Sequence, residues 1–392
     1  MKRLIEGRVR RAVLFVVIAA VTAAGLSSQV LARDWYVTVD GVAGSSATID
    51  EPTSLFSALD RAGPEDTIIL RAGRYDLTRQ IFLRQPGLTL RGYEGERPRL
   101  VMATDNPRLN SVIWFYAERN TIENLDVEGG YWYAVKIEQP HSVIRNCRLG
   151  YSGRDTVKIV RTGHGALIER TEIRYSGMRD PSSAEGIDNV SADNVIIRDC
   201  YIHNIGANGI YMKGGARNCL IERNIVTDTN AHGIMLGQSS GQEFLTSIYE
   251  CRDSIARNNI VARTRGSGLV LEAANNCRLY NNTLYDVARE FGGGISVHAN
   301  AHGTSSKDVY VYNNIIVVKS TRPMFFVHET GLASMADMTC DYNIYYNTTG
   351  SYRYSWWPGP QVHFRSFHEW QEGTTFDANS FVADPQFEGG LP

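Results

Sequence analysis

Four residues whose types could do proton chemistry fall at related places in short repeated segments. Lys158 sits in Thr156-Val157-Lys158-Ile159-Val160 and Asp188 in Gly186-Ile187-Asp188-Asn189-Val190, while Tyr211 and Lys213 share Gly209-Ile210-Tyr211-Met212-Lys213. A lysine crowded by other charges can have its pKa moved and act as a general base. A second cation can neutralise an anion beside the carbon that loses the proton. Lys213 is therefore read as the base, Tyr211 or His232 as the proton donor, and Lys158 or Arg161 as the neutralising charge. Lys136 lies at one end of the same columns, Glu272 and His298 at the other, and all three are expected to contact substrate. The plainer reading is that Lys158 and Lys213 simply pair with Asp188 on a solvated sheet.

Columns exist only if the segments stack, and a repeat says that they do. One unit runs Gly209 to Asn224: a strand at Ile210–Lys213, a Gly-Gly turn, a second strand at Cys219–Glu222, and Asn224 at a corner. Equivalent corners are Leu125, Cys147, Thr171, Cys200, Asn224, Asn259, Asn282, Asn314 and Asn343, separated by 22, 24, 29, 24, 35, 23, 32 and 29 residues. The shortest steps set a winding of 22 to 24 residues, and longer steps carry loops. An apolar residue follows each corner (Val127, Leu149, Ile173, Ile202, Val226, Val261, Leu284, Ile316, Tyr345). Another precedes it (Ile144, Ile168, Ile197, Ile221, Ile255). The opening strands alternate apolar and mixed positions with period two, one side inward and one outward. An Asn run at one corner suits side-chain hydrogen bonding between windings and tolerates left-handed backbone.

These residues resemble the right-handed parallel β-helix proteins of the pectate-lyase-like superfamily. The resemblance covers roughly residues 67–347 and includes the approach Ser54 to Ala58, Gly63-Pro64-Glu65-Asp66-Thr67 and Ala72-Gly73-Arg74-Tyr75. It implies an all-β solenoid of about ten coils. Pro52–Ala62 would be an amphipathic helix capping its N-terminal end, over a domain of residues 33–350. The aromatic-rich residues 351–392 would form a C-terminal cover with a short helix near Phe367–Gln371.

The resemblance also implies a carbohydrate-active protein, with three readings open. One is a lyase that cleaves an acidic, uronate-containing glycan by β-elimination. Another is a uronate epimerase or glycoside hydrolase. The third is a non-catalytic polysaccharide-binding or surface protein. Clustered acids flank the lysine columns, and Glu185, Asp188 and Asp193, with Asp155 nearby, would suit Ca²⁺, an oxygen-seeking ion. A hydrolase would instead use Asp188 with Asp193 or with Glu272 as its acid pair, although the Asn-x-Asp and Asp-Asp signature of polygalacturonases is missing. His298, His302 and His328 are either a metal set or solvated strand ends. Tyr131, Trp132 and Tyr133 could stack on sugar rings. Loops at Tyr175–Glu185 and Gln238–Glu250 leave the solenoid near Lys213 and are expected to wall a groove.

Composition narrows the partners. The chain has 392 residues, 43% of them apolar, with 36 Gly, 20 Tyr and 12 Pro. Residues 1–32 have the pattern of a secretory signal: a basic start (Lys2, Arg3, Arg8, Arg10, Arg11), an apolar stretch at 12–24 and Val30-Leu31-Ala32 as cleavage site. Export to periplasm or medium is the expectation. With five bases and one acid (Glu6) removed from a total of −2, the remainder carries −6, so no basic surface points to nucleic acid. No later apolar run reaches the roughly 18 residues of a membrane span. Six cysteines without a Cys-x-x-Cys pair argue against zinc. A monomer is expected.

Overall fold

The computed structural model describes residues 32–328, 337–357 and 362–388. Residues 1–31 of the expected signal segment lie outside them, as do 358–361 and 389–392 of the expected C-terminal cover. The described chain winds into three long sheets of twelve strands each. Pairing between windings is parallel throughout, apart from the antiparallel hairpin of Tyr354–Trp357 with Val362–Phe364. Among the described residues these strands make eleven complete windings, in keeping with the about ten expected.

Why these residues wind is visible in one column. Val127, Leu149, Ile173, Ile202, Val226, Val261, Leu284, Ile316 and Tyr345 pair in unbroken register from strand to strand. All nine are fully buried. A branched aliphatic side chain withdrawn this completely contributes about 1.5–3 kcal/mol, and no winding could bury its own column alone. One position departs from the expected register. Ala256, not Ile255, pairs with Ile221 and faces inward.

The corner works differently from the sequence expectation. Asn224 accepts no left-handed strain; the residue before it does. Arg223, Asn258, Asn281 and Asn313 have φ between 54° and 55°, and each turns the chain so that the following Asn points inward. The inward amides then form a ladder. Asn224 N and Nδ2 both donate to Asn259 Oδ1 at 3.0 Å. The pattern repeats from Asn259 to Asn282, Asn282 to Asn314 and Asn314 to Asn343. Upstream, Thr171 and the cysteines replace Asn, with Cys147 N donating to Thr171 Oγ1 at 3.3 Å. All six cysteines are buried free thiols.

A helix at Leu55–Arg61 lies at the N-terminal end against the first strands and buries Leu55 and Ala58. At the other end a helix spans Phe367–Thr374. It is capped by Ser366, whose hydroxyl accepts from Glu369 N. Its Trp370 is fully buried among Phe325, Tyr354, Phe364 and Phe376.

Candidate active-site groove

The site sits on the outer face of one sheet. Its strands include Ile81–Leu83, Ser111–Phe115, Tyr133–Ile137, Val157–Ile159, Ile187–Val190 and Ile210–Lys213, stacked in that order. Register places Lys136 beside Lys158, Lys158 beside Asp188, Asp188 beside Tyr211, and Val190 beside Lys213. Alternation turns these side chains away from the core.

Six of the expected residues meet there, Tyr133 among them. Lys213, Lys158, Asp188, Arg161 and Lys136 line a groove of about 750 Å³. One wall is the Ser239–Phe244 part of the inserted loop. That loop is fixed at its root by Glu250, which is wholly buried. Glu250 accepts from Ser240 N and Ser240 Oγ at 2.6 Å and from Gly214 N at 2.9 Å. Further along, Ser191 Oγ donates to Phe244 O at 2.6 Å. The Tyr175–Glu185 loop does not wall this groove; Ser176 and Pro181 instead border a separate cavity lined by Asp228, Arg263 and Arg265.

Asp188 organises the floor. Lys158 Nζ pairs with its Oδ2, and Lys213 Nζ lies 3.5 Å from its Oδ1. Burial alone would raise the Asp188 carboxyl, but the two ammoniums outweigh burial and hold it below the usual carboxylate range. Burial likewise works against charge on Lys158, yet Asp188 and Asp155 overcome it and raise its pKa. Lys158 is therefore a fixed cation at neutral pH. Lys213 is held less closely, with its Nζ 4.1 Å from the centre of the Tyr211 ring.

Asp155, Glu185 and Asp188 each bring a carboxylate oxygen within 4.8 Å of the others, and all three are buried. Burial, then the neighbouring Asp188 and Glu185, push Asp155 well above its ordinary pKa. Such crowding of oxygen donors suits a hard divalent cation. Asp193, expected in this set, is elsewhere. It sits in the following turn, where Oδ1 accepts from Arg217 N at 2.9 Å.

Other expected residues are also displaced. Tyr211 is buried, packed with Met235 and Val270, and does not line the groove. His232 belongs to a corner ladder. Its Nδ1 accepts from Ser267 N at 2.9 Å, its own N–H donates to Asn208 Oδ1, and Phe291 packs edge-on against its ring. Burial lowers its pKa to about 4, so it is neutral at pH 7. Glu272 braces the wall loop by accepting from Ser239 Oγ at 3.0 Å; burial pushes its pKa up to about 7. His298 packs against Phe326 and His328, with burial lowering its pKa to about 3. The hydrolase pair of Asp188 and Glu272 fails on distance. Three strand steps separate them, about 14 Å, beyond the roughly 9.5 Å limit for paired carboxylates.

Arg154, Thr162 and Ser191 line the groove without having been singled out from sequence. Asp155, expected with the acidic set, stands two positions before Val157 as Glu185 stands before its partner Ile187.

The family model described as "Right handed beta helix region" matches residues 111–316, more than half of the chain. The protein belongs to that family. A pectate lyase, PEL9 of Emericella nidulans, is 42% identical over 79 residues, which is 19% of this chain and 19% of that protein. The match thus spans about a fifth of that relative's length. Among solved structures, the A-module of the Azotobacter vinelandii mannuronan C-5 epimerase AlgE6 superposes with TM-score 0.58 at 14% identity, covering 84% of this chain and 93% of that one. Pectate lyase Pel9A gives 0.54 at 13% identity, covering 72% and 75%. An alginate lyase from Paenibacillus sp. str. FPU-7 gives 0.51 at 17% identity, covering 76% and 98%. At these identities the structures speak to the fold.

Proposed function

We propose that the protein is a polysaccharide lyase that cleaves an acidic, uronate-containing glycan by β-elimination in the Lys213 groove. The observation that carries this reading is the pair of lysines sharing Asp188, one locked as a cation and one loosely held at the groove surface. The uronate carboxylate would lie against Lys158 and Arg161. Their charge lowers the energy of the enolate formed when the proton at C5 leaves. Lys213 Nζ, once it has given its own proton to water, takes that proton. Electrons from the C5–H bond form the C4–C5 double bond, and the C4–O bond breaks. The departing oxygen takes a proton from water, because Tyr211 is buried and neither it nor His232, whose Nδ1 accepts from Ser267 N, lines the groove.

Asp155, Glu185 and Asp188 would hold Ca²⁺ if the protein uses it, and the ion would supply further positive charge for the substrate carboxylate. The matched pectate lyase segment favours a lyase, and a uronate epimerase would share the proton abstraction. Product analysis separates them. Incubation of the protein with pectate, alginate and glycosaminoglycans should give an ultraviolet-absorbing unsaturated product from one of them. An epimerised but uncut chain would support the second activity, and silence on every uronate polymer would sink both.

A further inference from the structure

The outward column that carries Lys158 and Asp188 does not stop at Lys136. It continues toward the N-terminal end as Trp114 and then Phe82, in direct register. Lys136 Nζ lies over the Trp114 ring at 3.9 Å, which joins the groove to these aromatics. Phe82, Trp114 and Tyr116 form one cluster with centroids 5.6 to 6.1 Å apart. Beside it is a depression of about 390 Å³ that includes Phe82, Arg79, Arg84 and Arg108. Arg84 stacks on both Phe82 and Tyr116. Arg79 pairs with Asp60, but among the described residues Arg84 and Arg108 have no carboxylate partner.

We propose that Phe82, Trp114, Tyr116, Arg84 and Arg108 form a distal subsite that binds uronate rings of the same glycan chain, far from the bond being cut. This rests on the reading of the Lys213 groove. The aromatic faces accept the apolar faces of sugar rings, and the unpaired guanidiniums accept their carboxylates. Trp114 lies four strand steps from Lys213 and Phe82 five, about 19 and 24 Å at the spacing of parallel strands, a reach of about four or five sugar rings. The chain would run along the solenoid axis, so long polymers engage both sites and short fragments engage one.

The test uses full-chain Lys213→Ala, which leaves ligand intact, and the same protein carrying Arg84→Gln and Trp114→Ala. Calorimetry follows binding of saturated oligogalacturonates and oligomannuronates of increasing length, with methyl-esterified oligomers as neutral counterparts. Affinity in the first protein should keep rising past four rings. In the second it should level off there, about tenfold weaker for the longest oligomers, with Trp114→Phe and Arg84→Lys restoring most of the gain. Unfolding curves establish that both proteins are folded. Identical length profiles, or equal binding of neutral oligomers, overturn the distal subsite while leaving the lysine-site reading intact. No binding at any length, with no product from the unaltered enzyme, overturns both.

Discussion

Lys158 and Lys213 hold opposite oxygens of one carboxylate, Asp188, from neighbouring windings of the solenoid. The arrangement makes them unequal. Both line the groove, but Lys158 pairs with two acids, Asp188 and Asp155, whereas Lys213 has the single longer contact to Asp188.

Lys213→Ala should therefore remove elimination, by roughly 10²–10⁴-fold as expected for a general base, with the melting temperature close to that of the parent. Initial-rate measurement of unsaturated product on whichever uronate polymer is cut provides the check. Retained activity would mean that another group takes the proton.

Asp188→Ala acts on stability as well as rate. It leaves the Lys158 ammonium facing only Asp155, at 3.8 Å. Breaking a buried ion pair from one side costs about 3–5 kcal/mol. Denaturant unfolding should show that loss, whereas Lys213→Ala should not.

Calcium should raise the free energy of unfolding if the acidic trio binds it, by about 2.7 kcal/mol at a hundredfold excess over Kd, and the melting temperature with it. Asp155→Asn should abolish the rise. A rise that survives Asp155→Asn would place the ion elsewhere.

Two desolvated histidines make the fold acid-sensitive. His232 and His298 are neutral when folded, with pKa values of about 4 and about 3 against an ordinary 6.5. Below pH 6.5 the unfolded chain binds the extra protons and the folded one does not. Stability is complete above that pH, falls as pH drops through it, and levels off only near the folded values. The loss should be on the order of 1–2 kcal/mol per histidine by pH 5. Melting temperature against pH should show it, with a shallower slope for His232→Asn, which keeps an acceptor for Ser267 N.

In the Asn ladder, Asn259→Ala should cost about 1–3 kcal/mol, because Asn224 N and Ile221 O lose their buried partner. Equilibrium unfolding measures it directly.

Much of this was legible in the sequence because each winding repeats a side-chain period. The inward column from Val127 to Tyr345 and the outward one from Lys136 to Tyr211 could be aligned by eye, and both are in register. What alignment could not give was depth. Tyr211 occupies an outward position yet is buried with Met235 and Val270. His232 sits where a turn converts it into a backbone acceptor. Asp193 is near Asp188 in sequence, but a left-handed Ser191 turns the chain away between them.

Glu250 clamps the wall loop at its root, through Ser240 and Gly214, and leaves its tip unburdened by that joint. Residues 241–244 can then be exchanged while the hinge of the wall stays put. The scaffold thus carries a replaceable edge beside a fixed floor of lysines and Asp188.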